Sequence, residues 1–390
     1  MLYNLSPWKW SGLALMLWLP WLLPGCTCGG RDKAGATDAP AATHRPVRLN
    51  HLGTVKRLPP GTHRPELLTT HDGGFALAVV QPEGSSGPGQ VKHQLHRFDD
   101  SWHGLGAATP LTRNDPVLGE PADHRAVLVR DELVLIYQTL NWRNGHPPEG
   151  RGPAEDQARD QSLVLARFDL AGKELFRRVL VDRGSDARRE NFPDHSVLWT
   201  GDALLVSSGS RASEVILRRV TLQGQVLSRR ALACSPGSVP WPMGNGLALR
   251  GGKPVIFSSS GMGPRGMLTM TELGAKSGTP QLARFPHPER SRIFPAAVAQ
   301  VRDLIVVAHI SASTADPPPA GLKHNFSARL LLLSPSLQVV GDVLVGKGGH
   351  GHVHPTVAVR GDRLLVAWSK REIHGQALVP RVQVEAFRLE

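Results

Sequence analysis

Residues 191–232 read NFPDHSVLWTGDALLVSSGSRASEVILRRVTLQGQVLSRRAL, and this stretch decides the fold. It holds four short apolar runs, which are separated by Gly201-Asp202, by a polar loop and by Gln223-Gly224. Val, Leu and Ile dominate these runs, and none reaches the length of a helix. The pattern predicts a four-stranded antiparallel meander, which cannot bury both faces of its sheet unless similar sheets pack beside it.

The rest of the chain repeats this unit at intervals of roughly 50 to 70 residues, a spacing typical of repeat architectures. Each unit begins with a proline, an apolar run and a turn that contains Gly or Asp. The six leading prolines are Pro65, Pro121, Pro193, Pro242, Pro295 and Pro355. The last unit stops at Glu390 after its third run, whereas a spare run, LNHLGTVKRL, lies at residues 49–58. An N-terminal strand that completes the C-terminal blade is the usual closure of a β-propeller, because it leaves no open sheet edge.

We therefore predict an all-β fold in which residues 49–390 form a six-bladed β-propeller of four-stranded antiparallel blades, with the N-terminal strand closing the last blade. A pair of stacked β-sandwiches is the alternative, and it explains neither the even repeats nor the missing strand. The leading prolines and Gly-Asp turns resemble those of six-bladed propellers of the sialidase-like kind. Hydrolases, lyases, lectins and scaffolds share that architecture, so the resemblance implies a fold and leaves the activity open.

The chain departs from true sialidases at several points. The Ser-x-Asp-x-Gly-x-Thr-Trp box is absent from every unit, and Tyr137, the one tyrosine beyond the N-terminal segment, lies inside a strand run. Arg292-Ile293-Phe294-Pro295 resembles the Arg-Ile-Pro segment of that family with one extra residue. The resemblance therefore makes Arg292 a candidate binding residue, without a complete catalytic motif around it.

The first residues predict export from the cell. Lys9 precedes an apolar run at residues 13–23, which is short for a membrane span and typical of a signal peptide. Leu23-Pro24-Gly25-Cys26 resembles the lipobox of bacterial lipoproteins, which implies a signal peptide at residues 1–25 and lipidation of Cys26 with diacylglycerol and palmitate. An ordinary cleaved secretory signal and a retained anchor remain alternatives.

Residues 26–48 are rich in Gly, Ala, Pro and Thr and are predicted to be a flexible tether. At about 5 to 6 Å times the square root of its length, such a tether would hold the propeller about 25 Å from the lipid. By resemblance to sorting in enteric bacteria, Thr27 after the cysteine implies delivery to the outer membrane, with the periplasmic or surface-exposed side left open.

Composition excludes some classes of partner. The formal charge is +12, but the 45 Lys and Arg residues are scattered and no basic run is interleaved with aromatic residues, so we predict no nucleic-acid binding. The 3 cysteines make a poor disulfide framework. Cys28 and Cys234 are either bonded to each other or, as we expect, free thiols.

Long loops are predicted to gather on one side of the propeller, because the connections between second and third strands and those between blades emerge there. These loops are residues 81–90, 139–160, 311–327 and 369–379. Long loops on a regular scaffold commonly carry binding, although some are only tolerated insertions. Trp142 is the first candidate for contacting a partner and Trp241 the second, since aromatic side chains stack on glycans and pack against proteins.

Histidines and acids cluster near the leading prolines. Asp123-His124 and Asp194-His195 recur at similar places in consecutive units, and such a pair can orient an imidazole as a base or ligand. His352 and His354 would lie on one side of a strand about 7 Å apart, close enough to share a divalent metal if another blade adds a ligand. Solvent-exposed histidines with no metal and no cofactor are the plainer alternative.

These patterns favour a lipid-anchored envelope or cell-surface protein that binds a protein or glycan partner through its loops without catalysis. The alternative is a metal-dependent hydrolase or lyase of an envelope or extracellular polymer with a His-lined site at the channel mouth. A third hypothesis is a structural spacer in an envelope assembly, for which loop sequences hardly matter.

Overall fold

The computed structural model describes residues 47–80, 90–142, 158–182, 190–210, 214–233, 245–260, 267–273, 292–313, 325–349, 354–374 and 377–390. Every regular element in these ranges is a β-strand. Within them, no helix is long and apolar enough to cross a membrane. The predicted signal peptide, Cys26 and nearly all of the predicted tether lie outside the described residues.

The strands form six antiparallel sheets, each made from neighbouring segments of the chain. Blade 1 consists of β2 (His63–Thr69), β3 (Phe75–Val80), β4 (Val91–Phe98) and β5 (Thr109–Arg113). Blade 2 consists of β6 (Glu120–Val129), β7 (Glu132–Trp142), β8 (Ala158–Asp169) and β9 (Glu174–Val181). Blade 3 consists of β10 (Glu190–Trp199), β11 (Leu204–Ser210), β12 (Glu214–Val220) and β13 (Val226–Ala233).

The second half of the chain continues the pattern. Blade 4 has three described strands, β14 (Asn245–Arg250), β15 (Lys253–Ser260) and β16 (Met267–Glu272). Blade 5 consists of β17 (Arg292–Val301), β18 (Leu304–Ser313), β19 (Asn325–Leu333) and β20 (Val339–Gly349). Blade 6 consists of β21 (Thr356–Arg360), β22 (Arg363–His374), β23 (Ala377–Leu389) and β1 (Leu49–Arg57).

The blades close into a ring. The first strands β2, β6, β10, β14, β17 and β21 contact one another in cyclic order, so they are the inner strands around the axis. The N-terminal β1 pairs with β23 from Leu49 opposite Leu389 to Arg57 opposite Gln383. The prediction of a six-bladed propeller closed by its N-terminal strand is therefore confirmed, and the paired-sandwich alternative is wrong.

The core lies in the seams between blades. In β3, Leu77 and Val79 pack toward blade 6, while Ala76 and Ala78 pack toward blade 2. Successive residues of a strand point to opposite faces of the sheet, so a strand between two seams is buried on both faces. This is why second runs such as FALAVV are apolar throughout instead of alternating with polar residues.

The ring has two unlike faces. On the loop face, the inner strands begin and the second strands end; on the turn face, tight turns such as Arg130-Asp131 join first to second strands. In blade 6, β21 pairs with β22 only as far as Thr356 opposite Ala367, but β22 and β23 stay paired to His374 opposite Ala377. At about 3.3 Å per residue, this two-stranded ribbon, residues 368–383, extends about 20 Å past the inner strand on the loop face.

Candidate functional site at the loop-face mouth

The inner strands are bulged near their loop-face ends. Register shifts interrupt the pairing between His63 and Glu66 in β2 and between Pro121 and His124 in β6, and similar shifts occur in β10 and β17. A bulge bends its strand and re-aims a side chain. Arg64, at φ 50°, lies in the first bulge, and Asp123 lies in the second.

Two ion pairs cross from blade 1 to blade 2 at these bulges. Arg64 pairs with Asp123, and Arg125 pairs with Glu66. The Arg64 backbone N–H also donates to Ser369 Oγ at 2.9 Å, so the base of the blade 6 ribbon is attached to the same place. Burial raises the pKa of Glu66, and the positive charge of Arg125 and hydrogen bonds oppose that rise.

A third ion pair, between Lys92 and Glu120, also joins blade 1 to blade 2. Buried Lys92 on β4 lies 2.6 Å from Glu120, which begins β6. Among the described residues, the mouth between blades 1 and 2 thus holds three ion pairs. Removing one partner of such a buried pair is costly, because it leaves the other charge uncompensated.

Further hydrogen bonds continue from blade to blade. Arg125 Nε donates to the His195 carbonyl at 3.2 Å, and the Leu247 N–H donates to Ser196 Oγ at 3.3 Å. On the other side of blade 1, the Leu67 N–H lies 3.5 Å from Thr356 Oγ1 of blade 6. These contacts hold neighbouring inner strands in register and make the mouth a rigid support for the loops above it.

Three histidines lie behind the ion pairs. His93 Nδ1 accepts from the Thr112 hydroxyl at 2.7 Å and its Nε2–H donates to the Ala122 carbonyl at 2.7 Å. His195 Nε2–H donates to the Ile136 carbonyl at 2.9 Å. The His124 ring lies edge-on to His93 with 4.6 Å between centroids, and neither of its nitrogens has a hydrogen-bond partner of normal geometry among the described residues.

The imidazoles of His93 and His124 are uncharged at neutral pH. Burial lowers the pKa of His93 to about 4, against the partial opposition of its hydrogen bond to Ala122. Burial also holds the pKa of His124 well below its ordinary value, and the neighbouring His93 and Arg125 lower it further. Because the rings of His93 and His124 are buried, a substrate at the surface cannot reach them, and their lowered pKa makes them weak bases.

The predicted Asp-His arrangement is not formed at the first of its two positions. Asp123 pairs with Arg64 of the preceding blade and does not orient His124, whose ring is buried against His93. Adjacent residues of a strand point to opposite sides, so an Asp-His dipeptide in a strand rarely folds back on itself. At the second position, His195 is buried, and the side chain of Asp194 is outside the described part of the structure.

The other predicted residues are distributed as follows. His354 is half-buried with φ 34°, just before β21 at the loop face. Trp142 ends β7 and Arg292 begins β17, so both backbones reach the loop face, but their side chains are outside the described part of the structure. Trp241 and His352 lie outside the described residues, as do most of the predicted loops at 81–90, 139–160 and 311–327. The prediction of a loop at residues 369–379 is wrong, because β22 and β23 continue as paired strands to His374 opposite Ala377.

No metal centre is present in the described ranges, where no group of three or more His, Cys, Asp or Glu side chains could hold an ion. His354 is described and its predicted partner His352 is not, so the predicted pair stays a prediction. Tyr137 is buried in the seam between blades 1 and 2, and burial raises its pKa to about 12, which makes it unsuited to act as a nucleophile.

Sequence reasoning missed most of the mouth. The candidates did not include Arg64, Glu66, Lys92, His93 or Arg125, although each is a charged or polar residue inside a strand. A buried polar residue needs a partner, so such positions are the signal that could have pointed to this network.

No protein-family profile and no curated protein matches the sequence. Among solved structures, a DUF4221-family member from Bacteroides vulgatus superposes with a TM-score of 0.52 at 10% identity, over 89% of this chain and 99% of that chain. Trypanosoma rangeli sialidase in complex with sialic acid superposes with a TM-score of 0.50 at 12% identity, over 83% of this chain and 54% of the sialidase. The chain thus spans about half the length of the sialidase. At these identities the likeness shows a common fold, the sialidase-like propeller predicted from the sequence, and no activity.

Proposed function

We propose that this protein is a binding platform, which uses the loop face of its propeller to hold a protein or glycan partner and performs no catalysis. The observation that supports it best is the blade 6 ribbon. Its strands stay paired well beyond the inner strand, so its backbone extends past the end of β21 on the loop face. The base of the ribbon is bonded to the segment between β1 and β2, where the Gly61 N–H donates to the Pro380 carbonyl at 2.6 Å, whereas the pairing of β22 with β23 continues beyond that contact to His374 opposite Ala377.

The charges of the mouth support binding over catalysis. A catalytic carboxylate or imidazole must reach a substrate and change its protonation during the reaction. The carboxylates of Glu66 and Asp123 are each paired with an arginine, and the three histidines behind them are buried. These groups therefore stabilise the scaffold, while the ribbon and neighbouring loops are left to contact the partner.

The proposal includes attachment to a membrane. The signal at residues 1–25 and the lipobox-like Cys26 support a lipid-anchored protein of the bacterial outer membrane, carried on the tether of residues 26–48. β1 begins beside Leu389, at the turn face. The described chain therefore enters the propeller on the side opposite the ribbon.

A ribbon-shortened variant tests the binding role. Residues 371–380 are replaced by Asn-Gly, which joins the paired residues Lys370 and Arg381 through a tight hairpin turn and keeps the Ser369 contact with Arg64. The control, Ala171→Ser/Lys173→Ser, changes exposed residues of the turn face. Both proteins and the wild type are applied to arrays of glycans and purified envelope polymers, and to candidate envelope proteins.

We expect the ribbon-shortened protein to lose at least tenfold in affinity for a ligand that the wild type and control bind equally. Equal binding by all three would contradict the platform role of the ribbon. Absence of any ligand for the wild type would favour the structural-spacer hypothesis, in which loop sequences hardly matter.

A further inference from the structure

Three buried histidines meet where blades 1, 2 and 3 join, directly behind the loop-face mouth. His93 lies on β4, His124 on β6 and His195 on β10, and their exposed fractions are 0%, 3% and 1%. The platform role uses none of them. The packing of three sheets around a cluster of imidazoles can depend on pH, because histidine is the side chain whose charge changes in mild acid.

The backbone connects this cluster to the ion pairs of the mouth. His93 donates to the carbonyl of Ala122, the residue that precedes Asp123 in the β6 bulge. The carbonyl of His195 accepts from Arg125, which pairs with Glu66. A movement of either histidine would therefore displace one of the two arginine-carboxylate pairs between blades 1 and 2.

The surroundings of the cluster do not compensate an added positive charge. β2 contributes Arg64 and Glu66, β4 contributes Lys92, and β6 contributes Glu120, Asp123 and Arg125, which already form the three matched pairs described above. From β7, the Tyr137 ring lies 5.7 Å from the His93 ring. Among the described residues, a proton on His93 or His124 would face further cations, Arg64 and Lys92 for His93 and Arg125 for His124, which is strongly unfavourable for a buried ring.

We propose that this histidine cluster is an acid-operated latch, whose protonation separates the inner strands of blades 1 and 2 and opens the loop-face mouth. At neutral pH the uncharged rings of His93 and His124 pack edge-on and the mouth is closed. In mild acid the charged rings repel one another and the neighbouring arginines, and exposure to water relieves that repulsion. The latch goes beyond the binding role and does not depend on it.

Proton linkage determines whether acid favours the closed or the opened state. The pKa of His93 is lowered by burial from 6.5 to about 4, so the closed state binds its proton less readily than an opened state with an ordinary imidazole. Acid therefore favours opening, and the equilibrium constant for opening is expected to be about 20-fold larger at pH 5 than at pH 7 through His93 alone. His124, which is shifted in the same direction, adds to this effect.

Two substitutions remove the titration with little change in packing. His93→Gln keeps an acceptor for the Thr112 hydroxyl and a donor for the Ala122 carbonyl, and His124→Phe replaces a ring that has no hydrogen bond of normal geometry to lose. The control is His71→Gln, at an exposed turn-face position. The test compares the wild type, the His93→Gln/His124→Phe double variant and the control, all as the chain from residue 27 onward, which retains the whole described structure.

The measurement is amide hydrogen exchange at pH 7 and pH 5, corrected for the intrinsic dependence of exchange on pH. In the wild type and control, β4 and β6 should lose about 20-fold or more in protection at pH 5 relative to β19 in blade 5, and the double variant should lose less than about threefold. A loss that is equal in the double variant would overturn the latch. An equal loss of protection in all blades of the wild type would also overturn the latch. That comparison needs only the wild type, so it tests the proposal even if the double variant folds poorly.

Discussion

Removing Arg125 should destabilise the protein by an amount that depends on pH in a definite way. Arg125→Met leaves the Glu66 carboxylate buried without its cation, since the Glu66 side chain is only 8% exposed. The carboxyl can escape by taking up a proton. Relative to an ordinary pKa of 4.5, protonation at pH 7 costs about 3 kcal/mol, and the lost hydrogen bond from Arg125 to the His195 carbonyl adds about 1 kcal/mol.

Because the pKa of Glu66 is already raised in the wild type, part of this cost is present before the substitution. The expected loss in unfolding free energy is therefore at most about 4 kcal/mol at pH 7, within the general cost of breaking a buried ion pair. The folded-state pKa of Glu66 in this variant lies above its unfolded value, so folding is favoured in acid and the stability is lost as the pH rises through the folded pKa. At pH 5 protonation costs only about 1 kcal/mol, and the loss should shrink to about 2 kcal/mol.

Urea denaturation at pH 7 and pH 5 measures the loss in unfolding free energy at each pH. A double variant separates the cost of the unpaired carboxyl from the other effects of removing Arg125. Glu66→Gln/Arg125→Met has no buried charge left at this pair, so it should recover at least half of the loss at pH 7 and show no difference between the two pH values beyond that of the wild type. A loss below about 1 kcal/mol for Arg125→Met, or a loss that grows in acid, would refute the argument that this pair is buried and matched.

Three further predictions concern the ring, its turns and the metal hypothesis. A chain that begins at residue 59 and so lacks β1 should aggregate or unfold without cooperativity, because the edge of β23 is exposed, whereas a chain that begins at residue 44 should unfold cooperatively as monitored by circular dichroism. Gly119→Ala should lower the free energy of unfolding by about 2–3 kcal/mol, because φ is 94° and a Cβ would clash with the Leu140 carbonyl oxygen. Gly53→Ala is the control: φ is 110° but no atom lies within 4 Å of the added Cβ, so thermal denaturation should show a loss of only about 1 kcal/mol. Elemental analysis of residues 44–390, purified without a histidine tag, should find no stoichiometric metal in the wild type or in His354→Ala, and a metal lost in the variant would instead favour the hydrolase hypothesis.

The fold was predictable because its signals are local and repeated. Each leading proline, apolar run and turn specifies one blade, and the missing last strand together with the spare run at residues 49–58 specifies the closure. Tertiary contacts were needed only to confirm the ring. The bulges near Arg64 and Asp123 were not predictable, since a register shift depends on the partner strand as well as on the sequence of the bulged one.

The site was predicted much less well, for a physical reason. Asp123 pairs with Arg64, which is 59 residues earlier, and no local pattern reveals such a partner. His93 lies on a third strand, whereas the search for site residues followed the first strands and the loops. Interblade pairs join residues that are distant in sequence, so a single sequence shows the polar residues but not which of them meet.

The most direct test of the platform role is site-specific photo-crosslinking in cells that produce the full-length chain. A benzophenone amino acid is placed at Val379 in the blade 6 ribbon or at Ala171 on the turn face. The account predicts a discrete adduct of one partner from position 379 and none from position 171. An adduct from position 171 alone, or equal adducts from both positions, would contradict it.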